Sequence, residues 1–387
     1  MKIQFDQKNK EQLQLIAQMG DKNPLVSQAA NQAFAQLLAP ALSHVYQQSD
    51  TTKFFYRDLP YRADDDPSFP LELFSEVQKG YFNVWSQSSP GGLATNDVYQ
   101  PIEEVKFATY GLDSAVSILA KYARLTRLPV LSKALERLMQ EVLIKTNVTA
   151  WSVVLAALAQ ARHTVNGTSI SHVQQSTTAG SFTLADYNKL MTFFRRLNAS
   201  WVGGTPTNGA SRPTDIIVSP EIMEQFRAMA YNPINTTGPN GLALSTSNAG
   251  SASTVTLPEG QQADLFKSGG VPSFYGINIL ELLELGKSQD YQVLFSQYQG
   301  STSYGKVTSP TTLDQTFDSA ANELIIVMDA TKDFAYRAIA TDADNGTVFS
   351  LEPDDQFVKR TGKIGWWGGI EEGRLVLDTR AIAALTV

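Results

Sequence analysis

The chain has 387 residues, a formal net charge of −7 and 43% hydrophobic residues, enough to fill the cores of one large or two ordinary domains. It contains no cysteine, which excludes disulfides, thiolate metal sites and a cysteine nucleophile together, so strength has to come from packing or assembly. No apolar run approaches the roughly 20 residues of a membrane span, the N-terminal MKIQFDQKNKEQLQLIAQMG is too rich in Gln and charge for a signal peptide, and the acidity argues against a dominant basic surface for nucleic acid.

Residues 1 to about 50 carry helical periodicity, in Leu13, Ile16 and Ala17 and again in Ala33, Leu37, Leu38 and Leu42, broken near Gly20 to Pro24. They read as an arm of two amphipathic helices, too small to have a core of its own. From Thr51 to Leu112 the character changes. Phe54, Phe55, Tyr56, Tyr61, Phe69, Phe74, Tyr81, Phe82, Trp85, Tyr99, Phe107 and Tyr110 place 12 of the chain's 38 aromatics (19 Phe, 14 Tyr, 5 Trp) in this stretch, about twice a proportional share. It lacks helical period and is punctuated by ADDDPS and SSPGG, so it reads as extended, hairpin-rich chain. Its aromatic surface needs a cover, supplied either by the segment itself or by a neighbouring subunit.

Asp113 suits the N-cap of a short helix, and Pro129 fits the first turn of another. From Val130 to Ala161 neither Gly nor Pro intervenes, which allows a helix of roughly 48 Å. Leu131, Leu135, Leu138 and Val142 form an apolar stripe opposite Lys133, Glu136 and Arg137, whereas Val153 to Ala159 is apolar all round. The spacing therefore predicts a spine helix with one half-exposed end and one buried end.

Residues 181 to about 300 alternate α and β. FTLADYNKLMTFFRRLN is an amphipathic helix, TDIIVSP (Thr214 to Pro220) a buried strand, PEIMEQFRAMA a helix starting at Pro220, and INILELLEL (Ile277 to Leu285) a further strand. Polar stretches at Ile234 to Thr256 and after Gly300 read as surface loops. The remainder is strand-like: ELIIVMDA, DFAYRAIAT, TVFSLEP and the stretch from Asp354 to Leu385. In that last stretch we expect a strand reaching Trp366, a turn through Gly368 and Gly369, and an alternating strand with Leu375, Leu377 and Thr379 on one face.

Sites for chemistry are sparse. None of His44, His163 and His172 stands four residues from another, as a helical metal pair would. GGTPTNGAS (Gly203 to Ser211) has Ala210 where a phosphate loop needs Lys, and there is no nucleophile elbow or dinucleotide fingerprint. Asp64 to Asp66 lack the spaced ligands of a calcium loop. Five glycosylation sequons, beginning at Asn147, Asn166, Asn198, Asn235 and Asn345, come without an export signal and read as chance. No catalytic residue, cofactor or metal is called.

The order helical arm, aromatic extended loop, spine helix, α/β region and final strands resembles the major capsid proteins of tailed double-stranded DNA bacteriophages, a fold shared with encapsulin shells. TDIIVSPEIMEQF (Thr214 to Phe226) is similar to the strand-then-helix of that family's axial domain, and VPSFYGINILEL (Val271 to Leu282) to a following turn and strand, without the usual proline after the glycine. Phe357-Val358-Lys359, then Glu372, Arg374-Leu375, Leu377 and Arg380-Ala381-Ile382, resemble its last strands.

The resemblance implies an α+β fold: an N-terminal arm (1–50), an extended β-hairpin loop (51–112), a peripheral domain with the spine helix (113–180 and 336–374) and an α/β axial domain (181–335 and 375–387). It implies self-assembly through hexamers and pentamers into an icosahedral virion capsid around DNA, built in the host cytoplasm. The short arm suggests a separate scaffolding protein, or none, alongside a portal and an optional cement protein, and no membrane. The subunit interface would draw on Phe54, Phe55, Tyr56, Phe74, Tyr81, Phe82, Trp85, Lys133, Arg137, Trp366 and Trp367. Loop segment 51–112 has 5 basic against 9 acidic residues and segment 113–162 has 7 against 3, so opposite charges would meet between neighbours or the basic helix would face DNA. An encapsulin compartment, and a cytoplasmic α/β enzyme using carboxylates such as Asp215 and Asp329, are the competing readings.

Overall fold

The computed structural model describes residues 10–21, 23–49, 51–62, 67–70, 104–124, 128–165, 168–178, 180–197, 212–231, 273–274, 276–298, 317–331, 333–341, 348, 350–353 and 362–387. Helices α1 (Lys10–Met19) and α2 (Pro24–Ser49) come first, followed by strands β1 (Tyr56–Arg62), β2 (Ser68–Pro70), β3 (Glu104–Lys106) and β4 (Thr109–Leu119). A short α3 (Ala120–Arg124) leads to α4 (Leu128–Gln160), then to β5 (Arg162–Val165), β6 (Thr168–Ser171) and β7 (Val173–Gln175). Next come α5 (Leu184–Leu197), β8 (Asp215–Val218), α6 (Pro220–Tyr231), β9 (Ser273–Phe274), β10 (Ile277–Glu281) and α7 (Asp290–Tyr298). Strands β11 (Leu324–Met328), β12 (Ala335–Thr341), β13 (Ser350–Pro353), β14 (Lys363–Val376) and β15 (Ile382–Thr386) follow, the last entered through a 3-10 turn at Thr379–Ala381. The class is mixed α+β. The chain divides into two compact units of discontinuous pieces: Met1–Glu72, Pro101–Ala150 and Ala335–Leu375 in the first, Leu73–Gln100, Trp151–Phe334 and Val376–Val387 in the second.

The first unit is organised by β14. One edge pairs antiparallel with β4 over Lys363 to Gly373, and β13 pairs with Trp366 to Gly369; the sheet order is β1-β12-β14-β13 with β4 attached to β14. Strand alternation sends Ile364, Trp366 and Ile370 into the core and Trp367 outward. The core is closed by Ile16 and Met19 of α1, by Phe34, Leu38 and Leu42 of α2, and by Leu135, Leu138, Met139 and Val142 of α4. Asn23 caps α2, its Oδ1 accepting from the Leu25 N–H at 3.2 Å, with Pro24 preset for the first turn. The N-terminal helices are thus part of the unit's core, not an arm without one.

Three expectations are corrected here. Asp113 lies inside β4, paired with Gly369, and caps no helix, because the alternation of Leu112, Val116 and Ile118 against exposed neighbours matches the 2-residue period of a strand. β14 runs unbroken through Gly368 and Gly369. The bare Gly369 makes room instead: a Cβ there would come within 2.3 Å of Asp113 Oδ1. The stretch 51–112 is not one loop, since β1 pairs in parallel with β12 and Thr109 to Leu112 belong to β4. A two-stranded β2–β3 ladder lies between these sheet pieces, and residues 71–103 fall outside the described set.

α4 carries the predicted stripe, with Leu135, Leu138 and Val142 buried and Lys133 and Arg137 exposed, and none of Val153 to Ala159 is exposed. Its Lys133–Gln160 portion is long and apolar enough, by length and composition, to cross a membrane, which the sequence reading missed because scattered Lys, Glu, Asn and Thr interrupt the apolar run.

The second unit is a six-stranded mixed sheet in the order β7-β15-β11-β8-β10-β9. Its central strands IAALT, LIIVM and DIIV are buried at every position, as continuous apolar runs require. α5 and α6 cover one face through Tyr187, Leu190, Phe194, Ile222, Met223 and Phe226, which pack on Ile216, Val218, Ile325, Val327, Ala383 and Leu385. α5 starts with a reciprocal cap: Thr183 N–H donates to Asp186 Oδ2 at 3.2 Å and Asp186 N–H donates to Thr183 Oγ1 at 3.3 Å. Burial pushes the Asp186 carboxyl up, but donors from Thr183 and Thr177 outweigh it and hold it below the ordinary value. The expected domain limits differ here, since β5, β6 and β7 fall in the second unit and β7 pairs with β15.

The two tryptophans give a direct check. Trp366→Ala is expected to lower unfolding free energy by about 3–5 kcal/mol, as deletion of a fully buried large side chain does, and Trp367→Ala, 40% exposed, by less than about 1 kcal/mol. Urea titration of the two variants measures the difference.

Candidate subunit interface

Among the expected interface residues, the described ones separate into buried and outward-facing sets. Phe55 and Tyr56 are 3% and 5% exposed, and Trp366 is fully buried with its ring 5.6 Å from that of Phe34. These three are taken up by the chain's own core. Phe54 (37% exposed) and Trp367 (40%) face outward, as do Lys133 and Arg137 on α4. Phe74, Tyr81, Phe82 and Trp85 lie outside the described residues.

The Thr51–Tyr56 turn is held by a charged group sealed from water. Arg374 on β14 donates to both carboxylate oxygens of Glu372 at 3.0 Å, and both side chains have no exposure. Arg374 also donates to Thr52 Oγ1 at 3.2 Å and stacks 4.8 Å from the Tyr56 ring centre. Tyr110 of β4 donates to Glu372 Oε1 at 2.5 Å, and burial followed by that carboxylate drives its hydroxyl well above the ordinary phenol value. Tyr56 reaches on to the Ala150 carbonyl at 3.1 Å. Along β1, Arg337 of β12 clasps Asp58 with two bonds of 2.7 Å, and Tyr61 donates to Glu371 at 3.0 Å, its hydroxyl pushed up to about 12 by burial and by that carboxylate. Residues 372 and 374 share a strand face by their spacing of two. Their pairing with Thr52 and Tyr110, far away in sequence, had no sequence signal.

The outer face of β4 and β14 is built differently. Gly111, Asp113, Ala115, Ser117 and Leu119 of β4 are exposed, and opposite them β14 presents Lys363, Gly365, Trp367, Gly369 and Glu371. Trp367 lies across from Ala115 on β4 and from Glu352 on β13, with Gly365 and Gly369 before and after it on the same face.

The carboxylates of the enzyme reading are occupied in holding turns. Asp215 accepts from Thr214 at 2.6 Å and Asn278 at 3.1 Å, and Asp329 accepts from the Thr331 hydroxyl at 2.5 Å and the Arg212 N–H at 3.0 Å. Among the described residues no three His, Cys, Asp or Glu side chains stand as a metal cluster.

His172 and His163 stack edge to face in the second unit, ring centres 5.4 Å apart. Two carbonyls, of Thr379 and Ile382, accept from His172 Nδ1 at 3.0 and 3.1 Å, which fixes its proton there and leaves Nε2 bare and buried. Burial, then the neighbouring His163, pushes the His172 ring down to about 4 from 6.5; burial also lowers His163. A ring kept neutral in the folded chain binds its proton more readily when unfolded, so its stabilising contribution is complete above pH 6.5 and is lost as pH falls toward 4. His172→Asn is expected to remove up to about 3 kcal/mol of the stability difference between pH 7 and pH 4. Denaturant midpoints of both proteins at the two pH values check this.

No family model and no curated protein matches this sequence. Among solved structures the chain is similar to the capsid of the cyanophage P-SCSP1u, at 12% identity and a TM-score of 0.47 over 87% of this chain and 88% of that one. It is similar to the capsid of an empty GTA particle at 10% identity and a TM-score of 0.45, over 87% and 89%. It is also similar to the holo-SrpI encapsulin complex of Synechococcus elongatus PCC 7942, at 10% identity and a TM-score of 0.40, over 87% and 88%.

Proposed function

We propose that the chain is the major capsid protein of a tailed double-stranded DNA bacteriophage, a non-enzymatic subunit that assembles through hexamers and pentamers into the icosahedral shell around the genome. What supports the proposal is the order of elements: the 33-residue helix α4, the strand-then-helix β8–α6 and the last strand β15 completing a six-stranded sheet follow one another as the sequence resemblance implies. The turn-holding roles of Asp215 and Asp329 favour a structural protein over a carboxylate enzyme.

In this reading the exposed Phe54 and Trp367 pack against a neighbouring subunit. Lys133 and Arg137 meet the acidic loop of a neighbour or the packaged DNA. A scaffolding protein and a portal act in assembly in the host cytoplasm, with a cement protein as an optional addition. Purified chain, with scaffold if needed, is expected to give megadalton particles by light scattering and negative-stain microscopy; monomers that persist under both conditions sink the proposal. Nucleic acid inside the particles supports a phage shell and enzyme cargo an encapsulin.

Lys133→Glu with Arg137→Glu should leave monomer stability within about 0.5 kcal/mol, both side chains being exposed. It should reduce particle yield or DNA retention, read by sedimentation and nuclease protection.

A further inference from the structure

α2 presents an outer face of unusual composition. Between Lys22 and Asp50 the sequence contains no Asp, Glu, Lys or Arg, although the chain's 18% charged share would put about five in a helix of 26 residues. The inner face, with Ala30, Phe34, Ala35, Leu38, Ala39 and Leu42, is buried in the first unit. The outer face carries Leu25 (76% exposed), Ala29, Ala33 and Leu37 (51%), four residues apart each time, beside exposed Gln28, Gln32 and Gln36. Solvated helix faces ordinarily carry charge, whereas the centres of protein interfaces are depleted of it.

We propose that this face pairs antiparallel with the same face of a second copy of the chain, about a two-fold axis near Gln32. This rests on the reading of the chain as a self-associating coat subunit. The pattern names the partner because it is the same in both directions: Leu-Ala-Ala-Leu in one row, Gln-Gln-Gln in the next. Antiparallel pairing sets Leu25 against the other copy's Leu37 and Ala29 against its Ala33. Small residues at the middle of the crossing let two helix axes approach closely, and the leucines fill the space at its ends. Gln32 faces its own mate, and an amide is both donor and acceptor, so a like pair can bond.

The absence of charge points the same way. Each copy carries −7, so at a contact that sets the same patch against itself an uncharged face meets the least repulsion. A two-fold contact repeats each patch on both sides, and a net charge in it would meet its like. A different protein would impose no such condition and would gain from complementary charge. Leu25 to Leu37 covers about 18 Å of helix, less than a standard interface requires, so the pair acts together with other contacts between copies.

The cysteine-free chain permits a clean test. Gln32→Cys particles treated with a mild oxidant are expected to run mainly as covalent dimers on a non-reducing gel. Lys189→Cys, exposed on α5, should stay monomeric. Gln36→Cys alone should not link, but Gln28→Cys with Gln36→Cys in one chain should. Adding Ala33→Glu to Gln32→Cys should lower the dimer yield at least tenfold. Intact particles whose Gln32→Cys subunits remain monomeric, link to a different protein, or link no better than Lys189→Cys overturn the pairing and leave the coat reading standing. Absence of particles and dimers together overturns both.

Discussion

Much of the first unit depends on one ion pair that no water reaches. Arg374 cannot lose its proton, and a guanidinium buried without a carboxylate would cost several kcal/mol. The fold must therefore bring Glu372, Tyr110 and Thr52 to it together, and by doing so it fixes where β1 begins, how β4 registers on β14 and where the 51–56 turn lies. A shift of one residue in β14 would turn Glu372 and Arg374 to the other face and bring Trp367 inward in place of Trp366. The pair contributes selectivity for one register more than raw stability, since an apolar replacement of the same shape would pack as well.

What was legible in the sequence follows from which interactions are local. α5 and α6 could be read because their caps, Thr183 with Asp186 and Ser219 before Pro220, lie within a few residues of the helices they start. β8 and β11 could be read because strands buried on both faces are largely apolar runs. β4 was misread at Asp113 because a capping residue and an outward strand residue have the same composition; only pairing with Gly369 decides between them. The glycines of β14 were misread as a turn because the carboxylate they make room for comes from another strand.

Which aromatics the chain itself covers was not legible. Aromatic enrichment pointed to residues needing cover, but nothing local shows which aromatic is covered by its own chain. Tyr56 is enclosed by a guanidinium and a helix carbonyl, whereas Phe54, two residues earlier, faces outward. Trp366 and Trp367 divide in the same way, by strand parity alone. The helices of the arm were expected to lack a core because the residues that bury them belong to β14 and α4, far along the chain.

The place of β15 bears on the timing of synthesis. Residues 382–386 lie between β7 and β11, and beyond them Val387 exchanges two backbone hydrogen bonds with Glu323. Until those residues leave the ribosome, β11 has an open edge of five apolar residues and β7 has no sheet to join. The second unit is thus an unfinished sheet through most of translation, a state in which unpaired edges invite wrong partners. A chain made at high concentration would depend on chaperones to keep those edges apart until β15 arrives.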